Sequence, residues 1–274
     1  MKLNIGTRAK LNNGVEMPIL GLGTWRLSSG EAREAVLHAF EAGYRLIDTA
    51  KLYGNEKDVG QAVKESGLPR EEIFITTKLW QEDHGYENAL RAFEHSLRAL
   101  GLGYIDLYLI HWPGGGKRAA TWKAMENLLA NGKCRAIGVS NYTITHLKEL
   151  LENCEVVPAV NQVEFHPWLF QRDLLDFCLE NDIRLEAYSP LTHGKRLNDP
   201  EPVRLGKKYH KSPAQILIRW GLQHKVVEIP KSSKRERIFE NADIFDFDIH
   251  EEDMLFLDDM HEKLRSSWDP SQVP

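Results

Sequence analysis

Apolar runs rich in β-branched residues alternate with amphipathic stretches along almost the whole chain. The apolar runs fall at 19–25 (ILGLGTW), 44–50 (YRLIDTA), 73–80 (IFITTKLW), 105–112 (IDLYLIHW), 134–141 (CRAIGVSN), 158–166 (PAVNQVEFH), 183–191 (IRLEAYSPL) and 226–232 (VVEIPKS), eight in all. Between them lie GEAREAVLHAFEAG, NEKDVGQAVKESG, YENALRAFEHSLRALG, AATWKAMENLLANG, TITHLKELLENC, QRDLLDFCLEND and SPAQILIRWGLQH, each with its apolar residues spaced three and four apart. Gly43, Gly67, Gly101 and Gly132 close four of these stretches as helix C-terminal signals. Asn13-Gly14, between two short alternating segments, predicts an N-terminal β-hairpin. KRERIFENAD follows the eighth run, and a further helix is expected from about His250.

Near-continuous apolar strands alternating with helices indicate parallel strands buried on both faces. Eight such units predict an α/β fold, a (β/α)8 TIM barrel with an N-terminal β-hairpin and an extra C-terminal helix, as one domain over 1–274. An open doubly wound sheet usually carries G-x-G-x-x-G after its first strand. Here GLGTWR has Arg26 at the third glycine position, so that fingerprint fails.

Composition narrows the class. Hydrophobic residues make up 42% and charged residues 27%, ordinary values for a soluble globular protein. The net charge of −5 offers nothing to nucleic acid or an anionic membrane, and neither is expected as a partner. No apolar run approaches the ~20 residues of a spanning helix, and the N-terminal stretch lacks the apolar segment of a signal peptide. Three cysteines, Cys134, Cys154 and Cys178, without a C-x-x-C spacing argue against a zinc site or disulfide framework. The expectation is a cytoplasmic protein with no metal.

The active site of such a barrel lies at the C-terminal ends of its strands. The second run ends at Asp48, with Tyr53 in the following loop; the third carries Lys78 and the fourth His111. Taken singly, each has an ordinary explanation as a cap, a structural ion pair or a satisfied core residue. Taken together they make a chemical set. A phenol in water ionises with a pKa of ~10. A nearby ammonium favours its anion, Asp48 can hold that ammonium, and His111 can position the substrate oxygen. Tyr53 is then a proton donor to an oxygen becoming an alkoxide. The set lacks an electron source, which a hydride cofactor would supply. The fifth run ends at Ser140 and Asn141; Asn141 and Gln162 suit a carboxamide, and Tyr188, followed by Ser189, suits an aromatic ring. Lys231, Ser232, Ser233 and Arg237 lie where barrels bind phosphate, or else form a solvated basic helix start.

The stretches GLGTW, GYRLIDTAKLYGNE, TKLW, IDLYLIHWP, GKCRAIGVSNY, NQVEFHP, AYSPL and IPKSSKRERIFEN, from about residue 18 to 245, closely resemble the aldo-keto reductase family, in family order. The resemblance implies the barrel fold and reduction of small carbonyl substrates with NADPH/NADP+ bound extended. It implies Tyr53 as proton donor with Lys78, Asp48 and His111. It places Ser140, Asn141 and Gln162 at the carboxamide, Tyr188 on the nicotinamide, and Lys231, Ser232, Ser233 and Arg237 on the 2′-phosphate. Glu240 and Asn241 would contact adenine, and Gly23, Thr24, Ser189 and Leu191 would line the cofactor. Trp25, Trp80 and Trp112, with His111, would form the substrate pocket. A monomer is compatible with the resemblance.

The likeness is to short prokaryotic members such as the diketogluconate or methylglyoxal reductases. GGGKRAA after HWP is short, the tail beyond Asn241 is short, and Thr192 and His193 replace a glycine-rich turn. An open pocket and broad aldehyde preference follow. Two other readings remain. One is a cofactor-binding regulatory protein, against which the intact tetrad argues. The other is a phosphate-sugar isomerase, which would need a carboxylate base that Asp48 serves poorly. Arg237→Ala is expected to weaken NADPH binding about tenfold or more and NADH binding little, by fluorescence titration; equal losses would remove Arg237 from the phosphate role.

Overall fold

A computed structural model of the chain describes residues 2–273; Met1 and Pro274, the ends of the expected 1–274 domain, lie outside them. Strands β1 (Arg8–Lys10) and β2 (Glu16–Pro18) form the antiparallel hairpin, with Ala9 opposite Met17. Its turn uses Gly14 at φ 84°, a left-handed conformation that glycine adopts at little steric cost.

Eight parallel strands follow: β3 (Gly21–Gly23), β4 (Leu46–Asp48), β5 (Phe74–Leu79), β6 (Ile105–Ile110), β7 (Cys134–Ser140), β8 (Val160–Glu164), β9 (Arg184–Tyr188) and β10 (Val227–Glu228), each paired with the next. They form a nearly closed barrel. Gly23 N donates to Pro230 O at 3.1 Å and Glu228 N to Ile19 O at 3.0 Å, joining the last strand to the first. Glycine is needed on β3: an added Cβ would meet Leu46 Cγ of β4 at 2.4 Å from Gly21 and, across the seam, Ile229 O at 2.9 Å from Gly23. The strands are shorter than the apolar runs because each run continues into a loop that leaves the ladder.

Helices α1 (Glu31–Glu41), α2 (Glu56–Glu65), α3 (Tyr86–Leu100), α4 (Arg118–Ala130), α5 (Ile144–Asn153), α6 (Arg172–Glu180), α7 (Pro200–Tyr209), α8 (Pro213–Gln223), α9 (Arg235–Ala242) and α10 (Glu251–Asp258) surround the barrel. The expected C-terminal helix is α10. The hydrophobic pattern did not pick out α7, whose first turn holds Pro200 and Pro202 and whose remainder carries Arg204, Lys207 and Lys208. Proline at the first helical position has no hydrogen bond to lose there, so the segment folds as a helix.

Alternation along each strand divides the interior. Ile47, Ile75, Tyr108, Ile137, Val163 and Leu185 face outward into the helical layer. Leu46, Phe74, Leu107, Ala136, Val160 and Val227 face inward, where Leu11 and Met17 of the hairpin segment join them. The lower barrel is thus an apolar plug closed by the hairpin. The same inward face, two or four residues further along, carries Asp48, Lys78, Gln162 and Glu186, because side chains at i, i+2 and i+4 share a face. No helix among the described residues is long and apolar enough to cross a membrane.

The α2–α3 contact supplies a stability test. A Cβ at Gly60 would lie 1.8 Å from the Leu100 carbonyl oxygen, which is backbone and cannot swing aside. Alanine gains about 1 kcal/mol of helix propensity, but overpacking of this kind costs about 1–3 kcal/mol or more. Gly60→Ala is therefore expected to lower the melting temperature by about 5 °C in a calorimetric scan; an unchanged midpoint would contradict the close approach.

Candidate active site

Three strand ends and one turn bring the four polar residues together. After β4 the chain makes a 3-10 turn, Lys51–Tyr53, closed by Gly54 at φ 69°. Thr49 Oγ1 donates to Asn55 Oδ1 at 2.7 Å, and Asn55 Nδ2 donates to Thr24 O at 2.9 Å and Leu27 O at 3.1 Å, tying this turn to the loop after β3. Lys78 Nζ donates to Asp48 Oδ1 at 2.5 Å, to Thr49 O at 3.0 Å and to Tyr53 Oη at 3.3 Å. All three ammonium hydrogens therefore have an acceptor. The His111 ring stands edge-on to Tyr53, centroids 5.6 Å apart, and to Trp80 at 5.3 Å. Its Nδ1 is buried without a partner among the described residues.

Burial opposes the charge on Lys78, but Asp48 and Tyr53 outweigh it and hold the ammonium above its ordinary pKa. Burial pushes Asp48 up against the pull of Lys78 and Gln162; with two donors on it and a charged lysine beside it, it is the carboxylate of an ion pair. Burial also raises the Tyr53 phenol, and Lys78 pulls it down without winning, with Asp48 adding to the rise. The expected pull of the Lys78 ammonium on the phenol is present, and desolvation exceeds it. Burial, and then Lys78, push His111 well below the usual imidazole range, so the ring is neutral near pH 7.

One cavity of about 1210 Å³ runs from this cluster to the start of α9. Asp48, Tyr53, His111, Trp25, Trp80 and Trp112 line one part of it. Gly23, Ser140, Asn141, Gln162, Tyr188, Ser189 and Leu191 line the middle. Lys231, Ser232, Ser233, Arg237, Glu240 and Asn241 line the far end. Thr24, expected with the cofactor residues, is instead fully buried and gives its hydroxyl to Asp48 O at 2.9 Å.

The carboxamide-type groups are partly engaged with one another. Ser140 Oγ donates to Gln162 O at 2.8 Å, and Asn141 Nδ2 donates to Ser140 Oγ at 3.1 Å and to His111 O at 3.0 Å. Tyr188 Oη donates to Asn141 Oδ1 at 2.8 Å. Gln162 Nε2 donates to Asp48 Oδ2 and to Glu186 Oε2, each at 2.8 Å.

The tail after α10 carries no signal in the hydrophobic pattern. Glu164, at the end of β8, accepts from Ser266 N at 2.7 Å, Ser266 Oγ at 2.5 Å and Ser267 N at 3.1 Å, and contacts His166 Nε2 at 3.1 Å. Burial works against the Glu164 carboxylate, yet these donors hold it below its usual range. The anchored tail brings Trp268 to 5.7 Å from Trp112 and 6.3 Å from Trp80, ring to ring. Even a short tail thus reaches the mouth, which amends the expectation of an open pocket. His193 and Arg26 are further unexpected wall residues: the His193 ring lies 5.3 Å from Trp25, on which the Arg26 guanidinium stacks at 4.2 Å.

Residues 19–262 match the model of the Aldo/keto reductase family. The chain is 52% identical over 274 residues to a glyoxal reductase of Bacillus subtilis (strain 168), covering all of this chain and 99% of the relative. Its fold is similar to that of an aldo-keto reductase from a Medee basin deep-sea metagenome library, with a TM-score of 0.95, 48% identity and coverage of 97% of this chain and 99% of that one. A Bombyx mori aldo-keto reductase solved in complex with NADP gives a TM-score of 0.93 at 36% identity, covering 99% and 98% of the two chains.

Glu164→Gln, which puts an amide where the tail needs a carboxylate acceptor, is expected to loosen the tail. Trypsin cleavage after Lys263 and Arg265 should accelerate about tenfold, the rest of the chain staying resistant; unchanged cleavage would show that Glu164 does not hold the tail.

Proposed function

The chain belongs to the aldo/keto reductase family, and from that premise we propose that it reduces small aldehydes and ketones with NADPH, Tyr53 giving the proton. Membership makes it an oxidoreductase acting on carbonyl and alcohol groups. The observation that carries the finer reading is the Lys78 ammonium, shared between Asp48 and the Tyr53 hydroxyl at one end of a cavity whose other end is cationic.

The residues fit a phosphorylated dinucleotide. Lys231, Lys234 and Arg237 make no ion pair among the described residues, although the protein as a whole is acidic, so three cations stand ready for an anion at the start of α9. The NADP complex of the Bombyx mori relative supports the same reading. Ser140, Asn141 and Gln162 would hold the carboxamide through the acceptor and donor positions their mutual bonds leave open, and Tyr188 would face the ring. When bound, the reduced nicotinamide supplies from C4 the hydride that the carbonyl carbon accepts.

Tyr53 gives its proton to the carbonyl oxygen. Its raised pKa keeps it protonated near neutrality, as a donor must be, and Lys78 stabilises the phenolate left behind. Asp48 keeps Lys78 charged and aimed. Neutral His111 offers a ring N–H to the same oxygen without competing as an acid. Trp25, Trp80, Trp112 and Trp268 give the mouth apolar walls that accept small carbonyl compounds, and the Bacillus relative is named for one such compound, glyoxal. Three unpaired cysteines fit a reducing cytoplasm, and the whole chain is read as one catalytic domain.

Tyr53→Phe is expected to lower kcat about 1000-fold while NADPH binding changes less than about twofold, since the phenol hydroxyl meets substrate rather than the phosphate end. The assay is loss of reduced-cofactor absorbance with a panel of aldehydes. Full activity in this variant would refute Tyr53 as donor.

A further inference from the structure

The proposed chemistry makes no use of Glu186. This residue lies on β9 directly beside Gln162 of β8, in register, and is completely buried. It does not line the cavity; Tyr188, two residues further along the same face, does. Its Oε2 accepts from Gln162 Nε2 at 2.8 Å, and its Oε1 has no partner among the described residues. The second hydrogen of the same Gln162 nitrogen goes to Asp48 Oδ2, across the barrel, also at 2.8 Å. Asp48 in turn holds Lys78 through its other oxygen. A continuous chain of hydrogen bonds therefore runs from Glu186 through Gln162, Asp48 and Lys78 to Tyr53.

We propose that Glu186 is a positioning residue of the reaction: it fixes the Gln162 amide against Asp48, and the charge on its carboxyl sets how readily Tyr53 gives up its proton. The inference rests on the reading of Tyr53 as proton donor. An amide nitrogen held between two carboxyl groups cannot rotate without losing one of them, so Glu186 fixes the direction in which Gln162 supports Asp48. The charged and titratable groups facing Glu186 are Asp48 from β4, Lys78 from β5 and Tyr53 from the turn after β4; Glu228 of β10 lies on the outer face of its strand against Gly221 of α8, and Glu186 repels its charge from across the sheet. Glu228 is itself fully buried, with neither oxygen partnered among the described residues, and burial keeps it neutral. Lys78 is thus the one cation in the group.

Burial, and then the Asp48 charge, push Glu186 up to about 8. Near pH 7 it is mostly the neutral acid, and Lys78 balances Asp48 alone. Above that value a second carboxylate faces Lys78. It holds the ammonium more firmly and raises the cost of a phenolate on Tyr53, making the phenol a weaker acid. Carbonyl reduction should slow as pH rises through this range, before Tyr53 itself ionises.

The test follows single-turnover oxidation of NADPH with one aldehyde between pH 6.5 and pH 9.5 (roughly the span either side of that ionisation). The wild-type rate is expected to fall about three- to tenfold over this range, as Brønsted behaviour gives for a donor weakened by a unit or two. Glu186→Gln cannot ionise and is expected to lose that fall. Glu186→Ala removes the acceptor, and its kcat at pH 7 is expected to be roughly tenfold below that of Glu186→Gln, with KM little changed because Glu186 does not reach the cavity. Superimposable pH profiles for wild type and Glu186→Gln would overturn the charge role. Equal kcat in the Ala and Gln variants would overturn the positioning role. Full turnover in Tyr53→Phe would instead overturn the reading of Tyr53 on which this rests.

Discussion

A fully buried ammonium organises the upper half of this barrel. Lys78 has no solvent contact, and an unpaired charge in such a place would cost several kcal/mol. It persists because β4 and β5 run side by side in register, which sets Asp48 within reach, and because the turn after β4 supplies Thr49 O and Tyr53 Oη. The hydrogen-bonded loop around Thr24, Thr49 and Asn55 keeps that turn in place. The chemistry of the site is the consequence of satisfying one cation.

The polar layer is supported from below. Leu46, Phe74, Leu107 and Val160 pack into a plug that the hairpin closes with Leu11 and Met17. Apolar burial there, at about 25 cal/mol per Å², offsets the expense of placing Asp48, Lys78, Gln162 and Glu186 one layer higher. The two halves use the same inward face of the same strands, so stability and function are separated by height along the barrel rather than by domain. Close approaches at Gly21, Gly23 and Gly60 let strands and helices come near enough for this layering.

The mouth is assembled from segments distant in sequence. Glu164 anchors the tail, the tail delivers Trp268, and Trp268 completes an aromatic wall with Trp80 and Trp112. A buried carboxylate with three tail donors is a firm anchor, whereas Trp268 itself stays largely exposed at its end. On the other side, His193 of the loop after β9 meets Trp25 of the loop after β3. Loops from opposite sides of the mouth thus supply its walls.

Local periodicity by itself determined the alternation of strands and helices, the hairpin at Asn13-Gly14, and the placing of Asp48, Lys78 and His111 at successive strand ends. Those features depend on neighbours a few residues apart, which a single chain displays. Helix α7 was hidden because proline and charge mask its pattern. Only the tertiary structure decided that Gln162 of β8 meets Asp48 of β4 across the interior, that Glu186 lies behind it, and that Trp268 closes over Trp80 and Trp112. It also decided the balance at Tyr53, where burial outweighs the lysine that residue spacing brought beside it. These outcomes follow from barrel closure and from the depth of burial, and neither is carried by any short stretch of sequence.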